Sequence, residues 1–359
     1  MKKTFTLVFI FTISTFCLPA QDLHFSQFNE QPALVNPALT GATATSRSSV
    51  AYRNQWRSIS SPFTTYAVSS ETRFNSNEWQ QVDKFRSMTF KERTSSRLAA
   101  GFSVYKDNAG DGRMGTTQIN LSFATFVPSG KKSFIAVGLQ ASLVQTMLNS
   151  DKLIFPNQYN GSGYDASMSN NEHFTGQNNI YGDFAGGVLW TYGQNDKSLL
   201  GKKQLKANVG FSVYHLNRPQ GIFQNTRPER SLKYVTHGDL LVSLTDPDFA
   251  LAPSFLVQMR GSSIEILAGT LLKRYVKLDS KYTGLVKRSS LGIGIYYRNK
   301  DAAIFCMNIE IKEQCIIGMS YDLNVSRLTK GTNARGGVEL TLKYTSPRSF
   351  LYQRKAKTE

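Results

Sequence analysis

The sequence predicts an all-β fold: a transmembrane antiparallel β-barrel of about fourteen strands with outer-membrane topology. Three observations carry that expectation. Segments alternating apolar and polar residues with period two dominate the chain, and no helix-period segment of comparable quality competes with them. The one long apolar run is N-terminal, which leaves no room for a helical membrane protein. The face opposite the apolar one is rich in Gly, Ser, Asn and Gln, whereas a two-sheet sandwich turns large aliphatics inward.

Residues 1–20 begin with Lys2 and Lys3, continue through "TFTLVFIFTISTF" and reach "CLPA" before "QDLHF". A charged start, a short apolar stretch and a small residue at the cut read as a secretory signal removed after Ala20. Cys17 raises a lipoprotein alternative. Lipid processing wants a small residue before the cysteine, and Phe16 stands there. Residues 21–45, with Pro32 and Pro37, are too polar and proline-rich for a lipid-facing strand. They are expected to plug the barrel, to lie as an arm across its periplasmic mouth, or to form a disordered arm.

Residues 46–346 carry the barrel pattern. In "SSVAYRNQWR", Ser49, Ala51, Arg53, Gln55 and Arg57 share one parity, against Val50, Tyr52, Asn54 and Trp56. In "SFIAVGLQASLV", Ile135, Val137, Leu139, Ala141 and Leu143 oppose Ala136, Gly138, Gln140 and Ser142. "QLKANVGFSVYH" and "SSLGIGIYYR" repeat the scheme. Short polar turns such as "DNAGDG", "PSGKK", "DPDF" and "RNKD" separate strands, and long connections run from Asn149 to Asn179 and from Asn217 to Leu232. Two connections spoil a clean short–long alternation: Asn75 to Ser95 is long on the expected periplasmic side, and Gly261 with Ser262 is very short on the outer side. The closing strand is "GGVELTLKY", with Val338, Leu340, Leu342 and Tyr344 toward lipid and Glu339, Thr341 and Lys343 inward. Residues 347–359 form a basic tail expected in the periplasm. Aromatics near strand ends (Trp56, Tyr105, Phe126, Trp190, Tyr192, Tyr214, Tyr297 and Tyr344) read as interfacial girdles.

The formal net charge is +17, and loss of Lys2 and Lys3 with the signal removes two of those charges. In an exported protein such a balance points to anionic outer-membrane lipid or an acidic partner rather than to nucleic acid. Cys306 and Cys315 flank a tight turn on opposite parities, which does not suit a disulfide.

No catalytic, cofactor or metal site is expected. His24, His173, His215 and His237 are scattered without metal-ligand spacing. Asp107, Asp111 and Gly112 partly mimic a calcium loop. Ala109 and Gln118 occupy ligand positions, so a hairpin turn is the better reading. Candidate lumen charges are Arg53, Arg57, Asp322, Glu339 and Lys343. Pairing of the first and last strands would bring Arg53 and Glu339 together in a watery interior. Such charges are more often a structural ion-pair network than a selectivity filter.

The ordered set "LHFSQFNEQPALVNPALTGA", "YRNQW", "GFSVYKDNAGDGRMGTTQINLSFA", "NVGFSVYHLNRP", "SLGIGIYYRNKDAAIF" and "IIGMSYDLNVSRL...GGVELTLKY" resembles the PorP/SprF family of Bacteroidetes outer-membrane proteins. The residues that carry the likeness include Asn36, Pro37, Gly41, Arg53, Asn54, Gln55, Trp56, Tyr321, Asp322 and Glu339. The resemblance implies a non-enzymatic barrel accessory of the type IX secretion system. It would bind a secreted cargo protein carrying a type B C-terminal sorting domain, often a gliding-motility adhesin, for export or cell-surface attachment. Three alternatives stay open: a porin or ligand-transport barrel, a core machine component linking the outer membrane to periplasmic parts, and an outer-membrane lipase or acyltransferase, for which no serine–histidine pairing is evident. "LIFPNQYNGSGYDAS" departs from the more acidic loop common in the family, which marks the Asn149 to Asn179 loop as a place for partner specificity.

Overall fold

The computed structural model describes residues 25–57, 61–74, 98–110, 114–129, 132–148, 153–165, 167–169, 178–198, 201–220, 229–246, 248–276, 289–326 and 335–346, side chains of 194–198 and 201–204 excepted. The expected signal (1–20), the tail 347–359, His24, His173, Asp111 and Gly112 lie outside the described residues. Fourteen strands occur among the described residues. They are β1 (Ser46–Gln55), β2 (Phe63–Arg73), β3 (Leu98–Ala109), β4 (Met114–Pro128), β5 (Ser133–Met147), β6 (Asn178–Ser198) and β7 (Gly201–Tyr214). There follow β8 (Lys233–Ser243), β9 (Phe249–Arg260), β10 (Ser263–Tyr275), β11 (Ser290–Arg298), β12 (Ala302–Ile311), β13 (Cys315–Asn324) and β14 (Arg335–Thr345). Each pairs antiparallel with its sequence neighbours, and β14 pairs with β1, so the sheet closes into a barrel without an edge.

Alternation explains the closure. Along β11, Ser290, Gly292, Gly294 and Tyr296 are buried while Leu291, Ile293, Ile295 and Tyr297 are exposed. The same holds for Val50, Phe102, Leu121, Phe123, Leu139 and Leu342 on other strands, so a continuous apolar outer face surrounds the molecule. Water would make that face unfavourable, and hydrocarbon removes the penalty. Two ladders are irregular: between β8 and β9 the pairing skips from Asp239–Ser254 to Val242–Leu251, where Pro253 has no N–H to give, and between β13 and β14 the register shifts at Asp322/Leu323. Cys306 is buried inside, Cys315 is half-buried on the outward parity, and both are free.

The outer face gives a direct test. Leu139 lies mid-strand on β5 and is 65% exposed. Leu139→Arg is expected to cost about 2–4 kcal/mol of folding into lipid vesicles. Urea titration of the folded, fast-migrating gel band measures it, and an unchanged midpoint would mean that this face does not meet hydrocarbon.

The interior differs from the watery lumen expected. Residues 25–42 run through it as three short 3-10 turns, Phe28–Glu30, Pro32–Leu34 and Pro37–Leu39. Phe28, Val35, Ala38 and Leu39 pack with inward Leu189, Val235, Leu256, Leu267, Leu271 and Ile304 in one apolar cluster. A cavity of ≈ 30 Å³ remains between the segment and β8–β9, room for a water or two. Three aromatics expected at the membrane interface face this filling instead. Phe126 packs edge-on to Phe134, Tyr214 donates to the Leu34 carbonyl at 3.4 Å, and Tyr105 packs beside Phe25, Ala51 and Ala67. An inward aromatic is costly in a water-filled pore and favourable against a chain segment.

Candidate functional site: the filled interior

The segment enters at one end of the barrel and leaves at the other. Ser26 lies beside Arg53, Asp322 and Arg298, near the end where β1 stops. Arg73, the last residue of β2, donates to the carbonyls of Gly41 and Ala42 at the end where β1 begins, and its guanidinium lies 4.3 Å over the Phe126 ring. Local sequence makes this path. Pro32 and Pro37 stand at the first positions of their turns, where a missing N–H costs nothing. Asn36 caps the third turn, accepting from the Ala38 amide at 2.9 Å. Gly41 turns the chain toward β1 at φ +66°, a conformation that an L side chain resists.

Ion pairs surround the start of the segment and hold its first turn. Arg53 donates to Asp322 at 2.7 Å and to Glu339 at 2.8 Å, and Arg298 donates to Asp322 at 3.1 Å and Asp301 at 2.9 Å. Arg53 and Glu339 are direct cross-strand partners in the β1–β14 seam. The Glu339 carboxylate also accepts the Ser26 and Gln27 amides at 2.7 and 2.9 Å. Two guanidiniums thus face three carboxylates, with the Ser26 hydroxyl bonded to both guanidiniums and to Asp322. Nearer the other end, Lys343 pairs with Glu30 at 2.6 Å, Asn308 donates to Glu30 at 3.3 Å, and Lys273 pairs with Glu310 at 3.3 Å. Arg47 meets Glu71 at 2.5 Å. These groups are closed on one another and on the segment, the arrangement of a fastener.

The histidines serve structure. His237 Nε2 lies 3.1 Å from Asn36 Nδ2, which has only hydrogens to offer, so Nε2 accepts and Nδ1 carries the ring proton. His215 Nδ1 lies 2.9 Å from Asp183 Oδ2 in a buried pair at the end of β7. Asn36 also donates to the Val188 carbonyl at 3.1 Å, so one side chain ties the segment to β6 and β8. Asn36→Ala removes a cap and strands two acceptors, and the expected loss is about 2–4 kcal/mol. Asn36→Asp keeps the cap but buries a carboxylate against the Val188 carbonyl and the His237 acceptor, and should cost at least as much. Urea midpoints of the purified barrel measure both, and midpoints equal to wild type would show that Asn36 holds nothing.

The structure brings Arg53, Asp322, Glu339 and Lys343 inside, as their parity requires. Arg57 is placed otherwise: it lies in the turn beyond β1, exposed, and does not join the interior charges, because the strand ends at Gln55. Asn36, Pro37 and Gly41 belong to the interior segment. Asn54 donates to the Tyr52 hydroxyl at 2.9 Å, Trp56 donates its amide to the Gly336 carbonyl and stacks edge-on to Phe63, and Tyr321 sits half-buried on β13. Ser26, Glu30, Arg298 and the Asp183–His215 pair escaped the sequence reading. Counting parity from Tyr296 would have put Arg298 inside. Nothing local marks Ser26.

A family model described as "Type IX secretion system membrane protein PorP/SprF" matches residues 18–344. No curated protein matches the chain. Among solved structures, the chain is similar to BamA from Haemophilus ducreyi lacking POTRA domains 1–3, at 9% identity and TM-score 0.41 over 84% of this chain and 70% of that one. It is similar to the TodX monoaromatic hydrocarbon channel at 10% identity and TM-score 0.40, covering 87% and 93%. It is also similar to the KdgM porin at 7% identity and TM-score 0.36, covering 83% and 99%.

Proposed function

Because this chain belongs to the PorP/SprF family of type IX secretion system membrane proteins, we propose that it is a plugged, non-enzymatic accessory of that system. A closed barrel with an apolar outer face, in a type IX family, fits an outer-membrane location. On this reading it binds the C-terminal sorting domain of one secreted protein and holds it for export or surface attachment. The β1 start and the β14 end face the periplasm, and the connections β5–β6 and β7–β8 face outward.

What supports the reading is the filled interior. Residues 25–42 occupy the space a porin keeps for solute, so the surfaces left for work are the loops. Binding through loops on a rigid barrel needs no cofactor. Deleting the gene and comparing cell-surface and secreted proteins tests this. Loss of one exported protein, restored by the intact gene, is the expected result. Loss of every type IX substrate would favour a core machine component, and an unchanged set of exported proteins would end the secretion reading. The porin alternative predicts ion conductance in planar bilayers, where the wild-type barrel is expected to stay closed.

A further inference from the structure

The fourteen-strand ring closes through β1 and β14, and residues 25–42 add no strand to it. The bend at 43–45 carries the segment covalently into β1. Within 25–42, what ties it to the wall is side-chain hydrogen bonding, ion pairing and apolar packing, the means by which a bound peptide is held.

The wall reads the direction of this chain. Near the end where β1 stops, the Glu339 carboxylate accepts the amides of Ser26 and Gln27. Further along, donors meet carbonyls: the Tyr214 and Ser212 hydroxyls serve Leu34 and Val35 at 3.4 and 3.1 Å, and the Arg73 guanidinium serves Gly41 and Ala42. A peptide threaded the other way would not present its amides and carbonyls in that order.

The wall also reads sequence. The segment holds a tandem pentad, Gln31-Pro32-Ala33-Leu34-Val35 followed by Asn36-Pro37-Ala38-Leu39-Thr40, and each Pro-Ala-Leu forms a 3-10 turn. Gln31 Oε1 accepts from the Ser49 hydroxyl at 2.9 Å, and the Thr40 and Ser122 hydroxyls share a hydrogen bond of 2.9 Å. Gly187 and Gly210 lack a side chain where one would collide with the Asn36 amide group. A β-carbon at Gly101 would meet the Thr40 methyl group, and one at Gly318 the Gln27 side chain. Glycines on four strands are thus fitted to the outline of one peptide, which marks a moulded site.

We propose that the barrel interior is a peptide-binding site that works in trans, with residues 25–42 as its resident ligand. The ligand class is a flexible peptide with two consecutive Gln/Asn-Pro-Ala-Leu turns, lying with its N-terminus toward the end where β1 stops. Glu30, paired with Lys343, is the only charged side chain of the resident ligand. Recognition therefore rests on main-chain polarity, the proline turns and apolar area, and the prolines lower the cost of ordering such a peptide.

The test cuts the full-length protein after it has folded. A protease-recognition sequence is inserted after Ala44, in the bend before β1, and cleaved in detergent. The cut segment is expected to stay bound through gel filtration. Urea below the unfolding midpoint should then release it while the barrel keeps its fast gel migration. A dye-labelled synthetic peptide of residues 25–42 should bind the emptied barrel, and the same peptide with Asn36→Ala should bind roughly 30-fold more weakly or worse. A peptide of reversed sequence should not bind. Immediate loss of the segment on cutting, release only when the barrel itself unfolds, or failure of the peptide to rebind would overturn the proposal. Equal binding of the Asn36→Ala or reversed peptide would overturn it as well. The accessory reading is judged separately, by the gene deletion.

Discussion

Glu339→Ala is expected to lower the stability of the barrel by about 3–5 kcal/mol, the largest effect of any single interior substitution considered. Three donors lose their acceptor at once: the Arg53 guanidinium and the amides of Ser26 and Gln27. Arg53 keeps Asp322, but Asp322 is already shared with Arg298 and the Ser26 hydroxyl. All of this is shut away from water, with Arg53 and Glu339 at 2% and 1% exposure. A buried donor without a partner costs its full desolvation, which is why removing one member of such a cluster costs more than the intact pair contributes. Because Arg53 and Glu339 face each other across β1 and β14, the loss falls on the seam that closes the barrel. Glu339→Gln keeps one carbonyl oxygen for an amide and should lose roughly half as much. Lys343→Met, which leaves the buried Glu30 carboxylate with Asn308 alone, should cost about as much as Glu339→Gln. Urea titration of the fast-migrating folded band reads all three. Equal midpoints for wild type and Glu339→Ala would show that the seam needs no clasp.

Much of this architecture was legible in the sequence, for a physical reason. A strand obeys a period of two, and lipid demands apolar residues on every second position. The parity of "GGVELTLKY" or "SLGIGIYYR" therefore fixes which side chains face out, with no knowledge of neighbours. Closure follows once the strands number about fourteen, and with it the meeting of Arg53 and Glu339. Parity says which residues point inward and says nothing about what they meet. The small residues opposite the apolar face read as the lining of a wet lumen, when several are small because a chain segment lies against them. Tyr105, Phe126 and Tyr214 read as interfacial aromatics for the same reason. Ser26 meets Arg298 across 272 positions, a contact no local pattern encodes.

Gly138→Val is expected to drive the interior segment from its seat and open the barrel to ions. A β-carbon at Gly138 would stand 2.4 Å from the Ala38 amide nitrogen and 2.4 to 2.5 Å from the Pro37 carbonyl group, far inside van der Waals contact. The obstacle is backbone on both sides, a closed strand and a proline-led turn capped by Asn36, so no side chain can rotate away. The sheet is held by ladders with β4 and β6 over most of the length of β5, while the segment is held by side-chain bonds and packing. The weaker partner yields. Displacement of the Pro37 turn separates Asn36 from His237 and pulls Leu39 from the apolar cluster, so the lumen loses its filling along the middle of its length. In planar bilayers the variant should give discrete conductance steps where the wild type gives none, while still migrating as a folded barrel. Gly186→Ala is the matched control one strand away: a β-carbon there meets only the outward Leu139 side chain, at 3.6 Å, and then nothing closer than 3.9 Å. It should stay folded and silent. A folded Gly138→Val barrel that conducts no better than wild type would mean that the segment can shift without leaving, and that the seal does not depend on its fit against β5.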